Sequence, residues 1–189
     1  MMDEVGGSHM MDDLRPTLVG ERVTVRPGHA EDVDALRAIL ADPSVVRWWG
    51  EPEPRDETEA KLLGSSYAVQ LVIEVAGDVA GGIEYNEELE PAFRHAGIDI
   101  YLGARWQSRG LGTEAIRLVA RFLFERRGHH RLTIDPAVAN ARAIASYARV
   151  GFRPVGVMRQ YERGADGCWH DGLLMDLLRD EFTPSPFRM

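Results

Sequence analysis

Gly97-Ile98-Asp99-Ile100-Tyr101-Leu102, then Gly103-Ala104-Arg105-Trp106, then Gln107-Ser108-Arg109-Gly110-Leu111-Gly112-Thr113 carry the reading of this chain. Ile98, Ile100 and Leu102 alternate with other residues, the period of a strand. From Gly110 to Arg126, the apolar residues Leu111, Ala115, Ile116, Leu118, Val119, Phe122 and Leu123 keep helical spacing. A strand thus runs through a glycine turn into a long amphipathic helix. Such a turn leaves backbone N–H groups free at the positive end of the helix, a setting for an anionic phosphate. Glycine suits it because a side chain there blocks a close approach or forbids the dihedral. Arg109 can add a charge-assisted contact.

Strand and helix signals continue on both sides. Upstream, Val23 to Arg26 reads as a strand, and a helix carries Val33, Leu36, Ile39 and Leu40 until Asp42-Pro43 stops it. A turn-rich stretch from Val45 to Pro54 contains Trp48-Trp49-Gly50, and a second helix spans about Asp56 to Leu63. Val69 to Val75 and Val79 to Tyr85 read as strands joined by a hairpin turn at Gly77-Asp78, with a polar loop from Glu87 to Phe93. Downstream come a strand Arg131 to Ile134, a helix Asn140 to Val150, and strands around Val155 to Tyr161 and Gly172 to Leu177. The sum is a mixed α/β (α+β) domain: a mostly antiparallel sheet of six to seven strands flanked by helices.

The 189 residues suit one domain. Met1–Met10, with Gly6-Gly7-Ser8-His9-Met10, looks like an expression-tag remnant, leaving 11–189 as that domain. A hydrophobic share of 44% and a charged share of 28% are ordinary for a soluble protein. No apolar run reaches the roughly 20 residues of a membrane span, and no secretory signal opens the chain. Cys168 is the only cysteine, so no internal disulfide forms and a cytoplasmic setting is expected. Its surroundings offer no base to activate the thiol. The net charge of −8 argues against nucleic acid as a partner and is compatible with a cationic small substrate. His95, His129, His130 and His170 are scattered without ligand spacing, so no metal site is expected; only His95, near the strand bearing Asp99, is a candidate base.

Gly110-x-Gly112-x-x-Ala115 formally matches a dinucleotide fingerprint, a weak signal by itself. That fingerprint sets its first glycine directly after the strand, whereas seven residues separate Leu102 from Gly110. The segment instead resembles the acyl-CoA signature Gln/Arg-x-x-Gly-x-Gly/Ala of the GNAT acetyltransferase superfamily. Asn140-Ala141-Arg142-Ala143-Ile144-Ala145-Ser146-Tyr147-Ala148-Arg149-Val150-Gly151-Phe152 is similar to that superfamily's second hallmark. Helical spacing sets Asn140, Ala143 and Tyr147 along one face.

The resemblance runs from about Val23 to Phe182 and implies a GNAT fold that uses acetyl-CoA as acyl donor without a metal. It assigns the cofactor to Ile100, Leu102, Gln107, Ser108, Arg109, Gly110, Leu111, Gly112, Thr113, Asn140, Ala143 and Tyr147. It implies direct attack by a primary amine in a ternary complex, with N–H donors of the third central strand facing the developing oxyanion. Tyr147 would protonate the departing thiolate.

Strand alternation sets Asp99 on the less apolar face, where a carboxylate can bind an ammonium group and accept its proton. An unperturbed value of roughly 4 makes it a modest base unless the pocket desolvates it. A narrower resemblance follows: Val46-Arg47-Trp48-Trp49-Gly50, Gly97-Ile98-Asp99 and Asp135-Pro136 are similar to the aminoglycoside 6′-N-acetyltransferases. It implies that Trp48 and Trp49 wall the acceptor site, that Asp99 and Asp135 meet the cationic sugar, and that Asp99 is the base. Glu84 and Asp171 are further acceptor-site candidates, Asp171 through a looser match. The tail, with Gly156 to Tyr161, Trp169-His170-Asp171 and Leu177 to Phe182, resembles the GNAT branch that acylates protein N-termini and small amines. A non-catalytic acyl-CoA-binding module is the remaining class. A monomer and a homodimer are both compatible with the sequence.

Overall fold

The computed structural model describes residues 14–64 and 68–183; the tag-like segment Met1–Met10 lies outside them. Eight strands form one sheet: β1 (Leu18–Val19), β2 (Thr24–Pro27), β3 (Val69–Val75), β4 (Asp78–Glu88), β5 (His95–Leu102), β6 (Arg131–Ile134), β7 (Arg153–Arg163) and β8 (Trp169–Leu178). The helices are α1 (Val33–Leu40), α2 (Pro43–Trp49), α3 (Arg55–Leu63), α4 (Leu111–Glu125) and α5 (Ala141–Val150). The sheet order is β1-β2-β3-β4-β5-β6-β8-β7, antiparallel throughout except between β5 and β6.

The expected mixed, mostly antiparallel sheet is present, with more strands than the pattern announced. The two-residue β1 is too short to leave a periodic signal. The hairpin between β3 and β4 turns at Ala76-Gly77 rather than Gly77-Asp78. Val75 pairs with Asp78, and both turn residues take positive φ, 51° and 87°, as a two-residue primed turn requires. β4 also runs on through Glu87 and Glu88, which read as loop, because Ala96 and His95 of β5 pair with them.

The Val45–Pro54 stretch holds a larger difference. Asp42-Pro43 ends α1 and also starts α2: the Asp42 carboxylate accepts the Ser44 N–H at 2.8 Å, and Pro43 takes the first helical turn. Trp48 and Trp49 therefore sit at the end of a helix, not on an open loop.

Side-chain alternation gives the sheet two apolar faces. One packs Val25, Leu71, Ile83, Tyr85, Ile98, Leu132 and Met175 against Ile116, Val119, Phe122 and Leu123 of α4, with Tyr147 and Val150 of α5. The other packs Val72 and Tyr101 against Val33 and Leu36 of α1, Val45 of α2 and Leu62 of α3. Gly82 is required here, because a Cβ would lie 2.6 Å from the Tyr101 ring opposite it.

Candidate active site

The register between β5 and β6 couples only Ala96 with Leu132 and Gly97 with Thr133. Beyond those pairs the two strands part, and a cleft of ≈ 750 Å³ opens between them, with α4 on one side and α5 on the other. The backbone of β5 is presented to this cleft. Gly103 N donates to Ala80 O at 2.9 Å, which sets the phase of the β4–β5 ladder. In an antiparallel ladder the polar groups of alternate residues turn to opposite edges. Asp99 and Tyr101 thus turn theirs toward β4, while Ile100 and Leu102 turn theirs toward the cleft. The Leu102 carbonyl accepts there a hydrogen bond from Gln107 Nε2 at 2.7 Å, which ties the turn to the strand.

At one end of the cleft stands the start of α4. Gly110 takes φ 79° at the N-cap and supplies no side-chain cap. The first intrahelical bond runs from Glu114 N to Gly110 O, so the N–H groups of Leu111, Gly112 and Thr113 point out of the helix start. Ser108 also takes positive φ, 59°, which compacts the turn. Gly112 has a different constraint: a Cβ there would lie 3.3 Å from Leu102 Cδ1, so its smallness serves the packing of α4 on β5. Thr113 Oγ1 and Ser146 Oγ, 2.9 Å apart, join the start of α4 to the middle of α5. Asn140 Oδ1 caps α5 by accepting the Ala143 N–H at 3.2 Å, leaving its Nδ2 for another partner.

Toward the other end the charged groups gather. Asp99 is open to the cleft and faces Glu84 across the β4–β5 ladder. Loss of hydration within the cleft, then the charges of Asp135, Glu84 and Glu162, push its carboxyl up to about 7. Glu84 is raised as well, first by burial, with Glu53 adding to the shift and Lys61 opposing it. Tyr147 is buried against Phe152, and burial, followed by the charges of Asp99 and Asp135, holds its phenol far above the ordinary value. Asp135 accepts a hydrogen bond from Tyr161 Oη of β7. Arg47 covers the Trp48 ring at 4.4 Å, and Trp49 packs edge-on against Tyr101 with ring centroids 4.9 Å apart.

Most residues singled out by sequence line this one cleft: Trp48, Trp49, Asp99, Ile100, Leu102, Gln107, Ser108, Gly110, Leu111, Gly112, Thr113, Asp135, Asn140, Ala143 and Tyr147. Three stand apart from its lining. Arg109 sets its guanidinium 5.8 Å from the Trp106 centroid and lends its carbonyl to Arg22. Glu84 lies behind Asp99 on the neighbouring strand. Asp171 is on β8, where its carboxylate accepts the Gln160 N–H at 2.7 Å. His95 does line the cleft, with Nδ1 2.7 Å from Phe93 O. Arg142, Arg149, Tyr161 and Glu162 also line it and were not foreseen. The two arginines, seven residues apart, share a different face of α5 from Ala143 and Tyr147, so the spacing of Asn140, Ala143 and Tyr147 did not point to them. Tyr161 and Glu162 reach the cleft through an irregularity in β7 that alternation does not encode. Among the described residues, no three His, Cys, Asp or Glu side chains are grouped to hold a metal ion. No described helix is long and apolar enough to cross a membrane.

An uncapped helix start, an open strand edge and a carboxyl–phenol pair therefore share one cleft.

Comparison with known proteins identifies the family. Residues 22–153 match the acetyltransferase (GNAT) domain family. The chain is 26% identical over 157 residues to an aminoglycoside N(6')-acetyltransferase type 1 of Klebsiella pneumoniae, covering 73% of this chain and 77% of that one. It is also 26% identical over 121 residues to the [ribosomal protein uS5]-alanine N-acetyltransferase of Escherichia coli (strain K12), covering 64% and 62%. Among solved structures, Mycobacterium smegmatis RimJ in complex with CoA-disulfide has the same fold, with a TM-score of 0.78 at 24% identity over 89% of this chain and 90% of that one. This chain belongs to the acetyltransferase (GNAT) domain family and is an N-acetyltransferase.

Proposed function

We propose that the chain transfers acetyl from acetyl-CoA to a primary amine of a polycationic small molecule, the 6′-amine of an aminoglycoside being the best-supported acceptor. The observation that carries this reading is the acidic group of Asp99, Asp135 and Glu162 lining the same cleft as Trp48. Carboxylates pair with ammonium groups, and a flat indole covers a sugar ring. The relative from Klebsiella pneumoniae, whose name states that acceptor, adds support.

In this reading the N–H groups of Leu111, Gly112 and Thr113 hold the pyrophosphate. Ile100 and Leu102 offer backbone partners to the amide-bearing arm, joined by Asn140 Nδ2. Bound acetyl-CoA supplies a thioester open to attack by an amine. Asp99, with a carboxyl near 7, takes the proton that frees the amine lone pair. The Ile100 N–H faces the position where negative charge develops. Tyr147 stays protonated across the working pH range and holds a proton for the leaving group.

The relative that acetylates an alanine of ribosomal protein uS5 favours a second reading, in which the acceptor is a protein N-terminus. Thiol release from acetyl-CoA with kanamycin and with an alanine-starting peptide separates the two. Turnover of kanamycin alone supports the first reading; turnover of the peptide alone replaces it with the second. Binding of acetyl-CoA without thiol release over either would overturn both readings and point to another amine as acceptor.

A further inference from the structure

β7 and β8 fall out of step at the cleft. Met158 pairs with Gly172 and Glu162 with His170, so Arg159, Gln160 and Tyr161 stand opposite Asp171 alone. Gln160 takes φ 50°, a left-handed conformation that a glutamine adopts only when something holds it. The Asp171 carboxylate accepts its N–H at 2.7 Å. The next residue, Gly172, leaves space for Tyr161, since a Cβ there would lie 2.8 Å from Tyr161 Cδ1. The same two residues anchor the segment that follows Asp135. Val138 N donates to Asp171 O at 2.8 Å, Ala137 bridges Gly172, and Leu173 N donates to Pro136 O at 2.8 Å. Asp171-Gly172 thus grips two pieces of chain at once, one bearing Tyr161 and the other bearing Asp135. Those pieces meet where Tyr161 Oη donates to Asp135 Oδ2.

We propose that Asp171 and Gly172 are positioning residues that shape the acceptor site without touching the acceptor. They hold the β7 bulge so that Tyr161 fixes one oxygen of Asp135, leaving the other oxygen for an ammonium group of the acceptor. The bulge also brings Glu162 into the cleft, completing a second cation-binding point apart from Asp99. This assignment rests on the reading of the acceptor as polycationic and differs from the sequence expectation that Asp171 meets the acceptor itself.

The charge of Asp171 is not required for this role; one acceptor oxygen is enough. Asp171→Asn keeps that oxygen and Asp171→Ala removes it. With kanamycin as acceptor, Asp171→Ala is expected to raise its KM about tenfold, the scale of one lost hydrogen bond, with the acetyl-CoA KM unchanged. Asp171→Asn is expected to stay within about twofold of the parent on both, since its amide oxygen accepts the same bond. Equal losses in the two variants would mean that the carboxylate meets the acceptor directly, and the proposal would fall. Gly172→Ala, which crowds Tyr161 and leaves Asp171 intact, is expected to reproduce the KM effect and keeps the test alive if Asp171→Ala does not fold. Wild-type KM in a folded Gly172→Ala would overturn its part.

If the parent enzyme does not acetylate kanamycin, the acceptor reading fails, and crystal structures of Asp171→Ala and Asp171→Asn decide the positioning claim alone. Loss of the Gln160 conformation and of the Tyr161–Asp135 bond in the alanine variant only supports it. Their survival in the alanine variant overturns it.

Discussion

Glu84 and Asp99 stand directly opposite each other across the antiparallel β4–β5 ladder, two carboxylates on one face of the sheet. Like charges in that arrangement repel. Loss of hydration raises both carboxyls first; at Asp99 the charges of Asp135 and then Glu84 add to it, to about 7. The pairing is poor for stability and useful for a base that must hold and release a proton near neutrality.

Stability should carry the mark of this strain. The folded state holds the Asp99 proton more tightly than the unfolded chain, whose carboxyl titrates at about 3.9. That contribution is complete below pH 4 and is lost as the pH rises through about 7. Asp99→Asn should therefore melt at a higher temperature than the parent at pH 8, with the gap shrinking toward pH 4. Thermal melts across that range check it; a gap independent of pH contradicts the assigned shift.

Tyr147→Phe keeps the ring packed on Phe152 and removes only the hydroxyl. Turnover should fall roughly 10²-fold, the lower range for a lost general acid. The acetyl-CoA KM should stay within about twofold. Because the phenol sits far above its ordinary value, the parent should show no alkaline loss of turnover below about pH 10. Steady-state kinetics on both proteins test this pair of statements.

The glycine turn makes a separate demand. Gly110 takes φ 79°, and alanine there costs roughly 1–2 kcal/mol. If the chain relaxes instead, the N–H groups of the helix start lose their aim. Urea denaturation of Gly110→Ala should show the stability loss, and the acetyl-CoA KM should rise while the kanamycin KM holds.

Glu114 fastens that turn from behind. Its buried carboxylate accepts Arg22 N at 2.8 Å and Arg22 Nε at 3.0 Å, with Val23 N at 3.4 Å. Arg22 in turn donates to Arg109 O at 2.8 Å. Glu114→Ala leaves those donors without their acceptor and should cost roughly 1–3 kcal/mol in denaturant melts. A neutral result would show that water replaces the carboxylate.

What the sequence disclosed and what it withheld divide along the range of the interactions. The turn from Leu102 to Gly112 and the helix face of Asn140, Ala143 and Tyr147 depend on neighbours within a few residues, so their spacing was readable. Asp42-Pro43 carried a local signal too, but a helix stop and a helix start share it, and α2 was missed. Tyr161 and Glu162 were out of reach because their place depends on Asp171, eleven positions beyond Gln160, and on a bulge that breaks alternation. Asp171 was noticed for its charge, while its contact in the fold is a backbone amide.

The most direct test of the central claim is the pH dependence of kcat/KM for acetyl transfer to kanamycin, in the parent and in Asp99→Asn. The parent should rise through a midpoint of about 7 and then level off. Asp99→Asn should be slower by roughly 10²-fold and should lack that rise. An Asp99→Asn enzyme with the parent's rate, or with the same rise at the same pH, would contradict the assignment of Asp99 as the base.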